Sequence, residues 1–424
     1  MSSELTAYLG GVRIGRFARV GSGDPTFTFD DEWRNASRRQ ELSISMPKSR
    51  REHRGDAPIN YLWNLLPDNR IVLDRWGSRF GVSAGNPMAL LAHVGLDTAG
   101  AVQLSPDDAP TLSEPSGAQA IGVAEIAAHL RALRSDPAAW LLPDDRGGHF
   151  SLAGAQSKFT LARLPDGSWA VPTGRGASTH IVKPGPEGLQ LGDLNEHVTL
   201  AAARNLGLSA AESSLTTFED QLAIVVARYD RTVASYGTVV RLHQEDLAQA
   251  FGIHPGRKYQ NDGGPGIADI TRLLSARGLT ADAQRFFDAT LFNWAMLGPD
   301  AHAKNYSLLH EADGTRLAPL YDIATALPYP DLNTRSTKLA MSFNRRYRDS
   351  EITARDVVAE AVDSGFDPDW AQERATDIVG RITDAFSDAI SSARLTGDAA
   401  AFAATIIDRS AERTQHLTRQ LAKG

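Results

Sequence analysis

The sequence predicts an α+β protein of two lobes, with a mixed α/β N-terminal part and an all-helical C-terminal lobe. Three observations predict it. Leu5, Ala7 and Leu9 alternate before Gly10-Gly11, and Val12, Ile14 and Phe17 follow, which is the pattern of an antiparallel hairpin whose turn accepts positive φ. Leu222-Ala-Ile-Val-Val226 is a nearly continuous apolar run, as expected of a strand covered on both faces. Ile378, Ile382, Phe386 and Ile390 recur every fourth residue and mark one face of a long helix.

The elements between these anchors follow in order. Phe27 and Phe29 alternate in a further strand, so the chain opens with an antiparallel sheet. Ile59, Leu62, Trp63 and Leu66 fall at helical spacing, and Pro67 ends that run. Residues 88–93 are a second short helix. Residues 104–120 are rich in Pro, Ser, Asp and Gly and read as a linker. A helix is expected over 122–134, then a loop at 145–148, Asp-Arg-Gly-Gly. Residues 158–163 and 168–171 read as strands around the turn Pro165-Asp166-Gly167, 179–183 as a strand, and 194–206 as a helix. After about residue 243 the pattern is mostly helical, with Phe287, Leu291 and Trp294 on one stripe and a last helix over 399–421. A chain of 424 residues is too long for one core. The expected division is 1–110, 111–230 and 231–424.

Composition narrows the class. Apolar residues make up 42% and charged residues 22%, an ordinary globular balance. The net charge of −7 gives no global signal for nucleic acid, although 44 Lys and Arg leave room for a local patch. There are no cysteines, which excludes disulfides, thiolate metal sites and a cysteine nucleophile. The first ten residues lack a basic segment followed by an apolar run, and no apolar stretch approaches the ~20 residues of a membrane helix. A cytoplasmic protein is expected, with no membrane partner.

The chemistry concentrates in Gly298-Pro-Asp-Ala-His-Ala-Lys-Asn305. Asp300 and Asn305 stand at the Asp-x4-Asn spacing of a protein-kinase catalytic loop, where Asp orients the attacking hydroxyl and Asn holds a metal ion. Phosphoryl transfer spreads negative charge over the γ-phosphate, so it needs hard-cation ligands and positive side chains. Asp and Asn oxygens suit Mg²⁺, and Lys304 adds positive charge. On its own the spacing also fits a loop with an Asx turn. Leu317-Ala-Pro-Leu-Tyr-Asp322 reads as a short apolar strand that ends in a second carboxylate, and the turn at 310–316 makes a hairpin of the two segments.

Upstream, Phe150-Ser-Leu-Ala-Gly-Ala-Gln-Ser-Lys158 offers small residues that let backbone N–H groups approach a phosphate, or else an ordinary tight turn at Gly154. Gly-x4-Gly-Lys-Ser/Thr is absent, and no Gly-x-Gly-x-x-Gly stands between a strand and a helix. P-loop NTPases and Rossmann dehydrogenases are therefore poor fits. Lys183 ends a strand some twenty residues beyond that loop, where a kinase lysine contacts the α/β-phosphates. The alternative is a solvated edge lysine. Glu196 lies in the following helix as a candidate partner for it. Ala227, Arg228 and Tyr229 follow the apolar strand, where a kinase hinge holds adenine, chiefly through backbone groups. His302 reads as a packing residue, because in kinase loops Asp does the work of the base.

Taken in order, these segments resemble the HipA family of serine/threonine kinases, the toxin halves of HipBA-type toxin–antitoxin modules. The resemblance runs through Ser151-Leu-Ala-Gly-Ala-Gln-Ser-Lys158, His180-Ile-Val-Lys-Pro184, Val226-Ala-Arg-Tyr-Asp-Arg231 and Arg241-Leu-His-Gln-Glu-Asp246. It continues through Lys258-Tyr-Gln-Asn-Asp-Gly-Gly-Pro265, Asp300-Ala-His-Ala-Lys-Asn305 and Leu320-Tyr-Asp322. Asn60-Tyr-Leu-Trp-Asn-Leu-Leu-Pro67 resembles that family's N-terminal domain.

The resemblance implies a protein-kinase-like fold, ATP and Mg²⁺ as cofactors, Asp300 as the catalytic residue, and Asn305 and Asp322 as metal ligands. It implies nucleotide contacts from Ala153, Gly154, Ala155, Gln156, Lys158, Lys183, Arg228, Tyr229 and Lys304. Ser151 matches the serine that family members autophosphorylate, an event that expels the loop and inactivates the kinase. About −2 charge on a buried serine would act by repulsion and desolvation. The partners implied are a protein substrate, in some members an aminoacyl-tRNA synthetase, and a small DNA-binding antitoxin (HipB-like), with DNA reached only through that antitoxin. Many members carry Glu where this chain has Ala227, so any side-chain contact from that position is lost.

Two other readings stand beside this one. A non-catalytic corepressor has no reason to keep Asp300, Asn305, Asp322 and Lys183 together. A small-molecule kinase on a related fold would show ATP hydrolysis stimulated by a metabolite.

Overall fold

A computed structural model describes residues 4–19, 21, 23–36, 40–106, 117–142, 150–234, 238–332 and 336–422. The loop expected at 145–148 and the middle of the expected linker, 107–116, lie outside these.

The opening strands form as their alternation predicts. They are β1 (Glu4–Leu9), β2 (Val12–Ala18) and β3 (Thr26–Phe29), followed by a short helix α1 (Asp31–Asn35) and β4 (Glu52–His53). Gly10 and Gly11 take φ of 56° and 80° at the β1–β2 turn, where Leu9 pairs with Val12. Three helices follow, α2 (Asp56–Asn64), α3 (Arg70–Phe80) and α4 (Pro87–Val94), then β5 (Val102–Ser105). The sheet order is β4-β3-β2-β1-β5, all antiparallel. Phe17, Phe27, Phe29, Tyr61, Leu62 and Trp76 are buried with it.

The second sheet comprises β6 (Gly117–Ala120), β7 (Phe159–Arg163), β8 (Trp169–Thr173) and β9 (His180–Lys183), with α5 (Val123–Ser135) before β7 and α6 (Gly192–Asn205) after β9. It is completed by β10 (Ser213–Phe218) and β11 (Gln221–Ala227), in the order β10-β11-β9-β7-β8-β6. The expected linker is thus shorter than its composition suggests. Ser105 closes β5, and residues 117–120 pair along β8.

The rest of the chain carries a small hairpin, β12 (Arg231–Val233) with β13 (Val239–Arg241), then β14 (His243–Asp246), α7 (Leu247–Ala250), α8 (Ile267–Ala276) and α9 (Thr280–Ala295). β15 (Ser307–His310) pairs antiparallel with β14, and β16 (Thr315–Leu317) follows the turn that Glu311 and Gly314 close. A second hairpin, β17 (Lys338–Phe343) and β18 (Arg346–Arg348), precedes α10 (Ala354–Asp363), α11 (Pro368–Ala393) and α12 (Gly397–Leu421). The C-terminal region is mainly helical, as expected, with this hairpin set into it. Among the described residues no helix is long and apolar enough to cross a membrane.

By contacts the chain divides into two compact units that interleave in sequence. The first holds Met1–Glu187, Leu215–Gly256 and Ser307–Thr315. The second holds Gly188–Ser214, Arg257–Tyr306 and Arg316–Gly424. In the second unit the expected stripes are the core: Phe287, Leu291, Trp294, Ile378, Ile382 and Phe386 are all buried.

In the first unit, buried His129 and His243 and half-buried His180 are held in neutral form. Desolvation holds His129 and His180 down at about 4, with Arg163 adding to the effect at His180. It holds His243 at about 3, with His310 beside it acting in the same direction. The unfolded value is near 6.5. Below that pH the unfolded chain binds protons that the folded unit refuses. Stability is therefore complete above about pH 6.5 and declines with acid, until the folded histidines also titrate. The melting temperature is expected to fall steadily from about pH 7 to about pH 5, and a calorimetric series that stayed flat would contradict this.

Candidate active site

In the first unit, the small-residue loop and the strand-end lysine come together. Gly154 takes φ of 101°, and a Cβ there would lie 2.7 Å from Lys158 Nζ, so only glycine lets the loop close over that lysine. Lys158 is itself buried; its ammonium donates to Ala153 O at 2.7 Å and lies 5.3 Å from the centre of the Trp140 ring. Asp68 N–H donates to Gly154 O, and Gln156 Nε2 donates to Pro184 O at 3.3 Å, which ties the loop to the residue after Lys183. Lys183 is not at an edge. It stands on β9, which lies between β11 and β7, pairs with Ile224 of β11, and is 4% exposed. Ser151 is fully buried; its hydroxyl donates to Leu65 O at 2.7 Å, and its N–H donates to Asp97 O.

At the expected hinge, the Arg228 side chain is held within the first unit. Its guanidinium donates to both Asp230 oxygens, at 3.0 and 2.8 Å, and to Ser178 Oγ and Thr98 O, while its N–H donates to Thr179 O. Arg231 and Asp97 complete a buried network. Burial alone would raise the Asp230 carboxyl, but the Arg228 and Arg231 charges overcome it and hold the group at about 2. The donors of Arg228 are thereby engaged within this network. The Tyr229 hydroxyl donates to Gln244 Oε1. No sequence spacing announced this network, because Asp97 lies far from the other members in the chain.

In the second unit, the end of α9 launches the loop that carries Asp300 and Asn305. Leu297 takes φ of 56° and Asp322 takes 57°, both outliers for side-chain-bearing residues and most pronounced for the bulky leucine. The launch is pinned by Gly298 N–H to Asn293 O at 2.7 Å, Ala326 N–H to Leu297 O, and Thr325 Oγ1 to Met296 O. The loop then fixes itself: His302 N–H and Asn305 Nδ2 both donate to Asp300 O, at 2.9 and 2.6 Å. Tyr321 Oη donates to Lys304 O at 2.7 Å, so the residue before Asp322 is tied to the residue before Asn305. Leu320 bridges Ala210, with bonds to Ser209 O and from Ala211 N–H, so the expected strand shortens to β16 plus an isolated bridge.

Lys304 and Asn305 are buried, whereas the Asp300 side chain is 64% exposed. His302 is buried edge-on against Tyr259, with ring centroids 4.8 Å apart, in agreement with a packing role. The Tyr259 hydroxyl donates to Asp300 Oδ1 at 2.5 Å. Sequence reasoning assigned no chemistry to Tyr259. Its only signal was membership of the Lys258–Pro265 segment, since a partner 41 residues away follows no periodicity.

Among the described residues no group of three His, Cys, Asp or Glu is placed to hold a metal. The donors available in the second unit are two carboxylates and an amide oxygen, a hard set that suits Mg²⁺ when phosphate and water supply the rest of its shell. The loop around Gly154 and the buried Lys183 suit phosphates. Each set by itself fits the part of Mg-ATP that it would hold, phosphate in the first unit and the cation in the second.

The chain matches the HipA N-terminal domain family over residues 5–105 and the HipA-like C-terminal domain family over residues 150–390. It is 36% identical over 392 residues to "Putative kinase Y4mE" of Sinorhizobium fredii, covering 90% of each chain. It is 30% identical over 406 residues to the serine/threonine-protein kinase toxin HipA of Shewanella oneidensis, covering 91% of this chain and 89% of that one. The fold matches a chain of the HipA, HipB and operator DNA complex of Shewanella oneidensis MR-1, with a TM-score of 0.85 at 26% identity, over 99% of this chain and 98% of that one. With both family domains matched in order and the fold shared from end to end, this chain belongs to the HipA family of kinases.

Proposed function

We propose that this chain is a serine/threonine protein kinase, the toxin of a type II toxin–antitoxin pair, restrained by a small DNA-binding antitoxin that makes the operator contacts. The observation that carries the reading is the arrangement of Asp300, Asn305 and Asp322 on two segments joined by the bond from Tyr321 to Lys304. Mg-ATP, when bound, supplies the phosphoryl group and the cation charge that neutralises it. Ala153, Gly154, Ala155 and Gln156 present backbone to the phosphates, with Lys158 shaping that loop from beneath, and Lys183 and Lys304 add positive charge. Asn305 and Asp322 hold the cation. Asp300, the most exposed of the set, takes the hydroxyl of the acceptor and its proton. The Shewanella structure is a complex with HipB and operator DNA, which supports the choice of partner. The expected compartment is the cytoplasm.

Ser151 is the proposed site of self-modification. Its hydroxyl is buried against Leu65 O, so phosphorylation requires the 151–158 loop to leave its seat, and the added charge then keeps it out. Incubating the unmodified protein with Mg-ATP is expected to add the mass of one phosphate, mapped by peptide mass spectrometry to Ser151. Phosphate found only on other residues would remove Ser151 from the reading, and a protein that neither binds nor turns over Mg-ATP would remove the kinase.

A further inference from the structure

We propose that Tyr259 is a positioning residue that aims the Asp300 carboxylate, an inference that rests on the kinase reading of Asp300. The catalytic loop fixes its own backbone through the two bonds to Asp300 O, but neither of them reaches the carboxylate. An aspartate side chain that is 64% exposed has several rotamers open to it. The Tyr259 hydroxyl selects one of them, at 2.5 Å from Oδ1, the length of a charge-assisted O–H···O⁻ bond. His302 Nε2 lies 3.9 Å from the same oxygen, too far to do so.

Tyr259 is built to hold that position. Its carbonyl accepts from Asp262 N–H and Gly264 N–H, closing a tight turn directly after it. Gln260 within that turn accepts from Ser342 N–H and Oγ, at 2.7 and 3.1 Å, which moors the turn to β17. On the other side Lys258 O accepts from Ala303 N–H inside the catalytic loop, and the tyrosine ring packs edge-on to the buried His302. Backbone and ring are thus fixed independently of the hydroxyl. The hydroxyl bond thereby sets the angle at which the phosphoryl acceptor is presented.

The test uses the full chain with Mg-ATP, reading ADP release, Mg-ATP binding by calorimetry, and thermal melting. Tyr259→Phe keeps the ring on His302 and removes only the donor. Its kcat is expected to fall about 10- to 100-fold, the scale of a small misplacement of a reacting group. KM, Mg-ATP affinity and melting temperature should stay at wild-type values. In an Asp300→Asn background, whose residual turnover no longer uses the carboxylate, adding Tyr259→Phe should cause no further loss. Wild-type kcat in Tyr259→Phe would overturn the proposal alone, as would losses that simply multiply in the double variant. A wild-type chain that binds no Mg-ATP and releases no ADP would overturn the kinase reading, and this proposal with it.

Discussion

Asp300→Ala is expected to lower phosphoryl transfer by on the order of a thousandfold, the scale of a removed general base, while the protein melts at the wild-type temperature. The two halves of this prediction come from the same geometry. The side chain is mostly in solvent, so its removal opens no cavity and leaves no buried charge unpaired. The loop is held through the Asp300 main-chain oxygen, which alanine retains, so Asn305 and His302 keep their bonds. The Tyr259 hydroxyl lies at an exposed site and finds water in place of Oδ1. Asn305→Ala would be a poorer test, because it removes the bond that shapes the loop along with the candidate ligand. Initial rates of ADP release with calorimetry on the same samples decide it. A variant that melts normally and transfers normally removes Asp300 from the mechanism.

Much of this was legible in the sequence where local rules suffice. The stripe of Ile378, Ile382 and Phe386 is a helix because its period is helical, and those side chains are buried. The Asp-x4-Asn spacing was readable because one loop carries both residues and one bond links them. The misses share a cause. Gly117-Ala-Gln-Ala120 lacks β-branched and aromatic residues, and becomes β6 only by pairing along β8, so tertiary context overrides propensity. The β17–β18 hairpin escaped notice because its turn is made by Asn344 and Arg345, at φ of 49° and 65°, with no glycine to announce it. The Arg228 network joins residues around 97, 178 and 230, a relation that no window of sequence contains. The same holds for Tyr259 and Asp300.

Arg413→Ala is expected to cost about 3–5 kcal/mol, the range for breaking a buried ion pair from one side, and to lower the melting temperature by roughly 10 °C. Arg413 on α12 is buried and donates to both oxygens of buried Asp349, at 2.8 and 2.5 Å. It also donates to Trp294 O at 2.5 Å and Ala295 O at 2.8 Å. Those carbonyls belong to the last turn of α9, where backbone acceptors lack intrahelical partners and a cation is favoured. Alanine would therefore strand a carboxylate and the Ala295 carbonyl together, while Trp294 O keeps only its bond from Leu297 N–H. Arg413→Lys keeps the charge but offers a single ammonium in place of a planar fork, so it should recover part of the loss and no more. The damage should also reach the chemistry. Trp294 and Ala295 lie two or three residues before the strained Leu297 and the loop that carries Asp300, so a loosened helix end lets that loop wander. Below its melting temperature Arg413→Lys should fold fully yet turn over more slowly, with kcat affected more than the KM for Mg-ATP. A stability loss for Arg413→Ala under about 1 kcal/mol, the range of surface pairs, would show that α12 does not support the catalytic loop in this way.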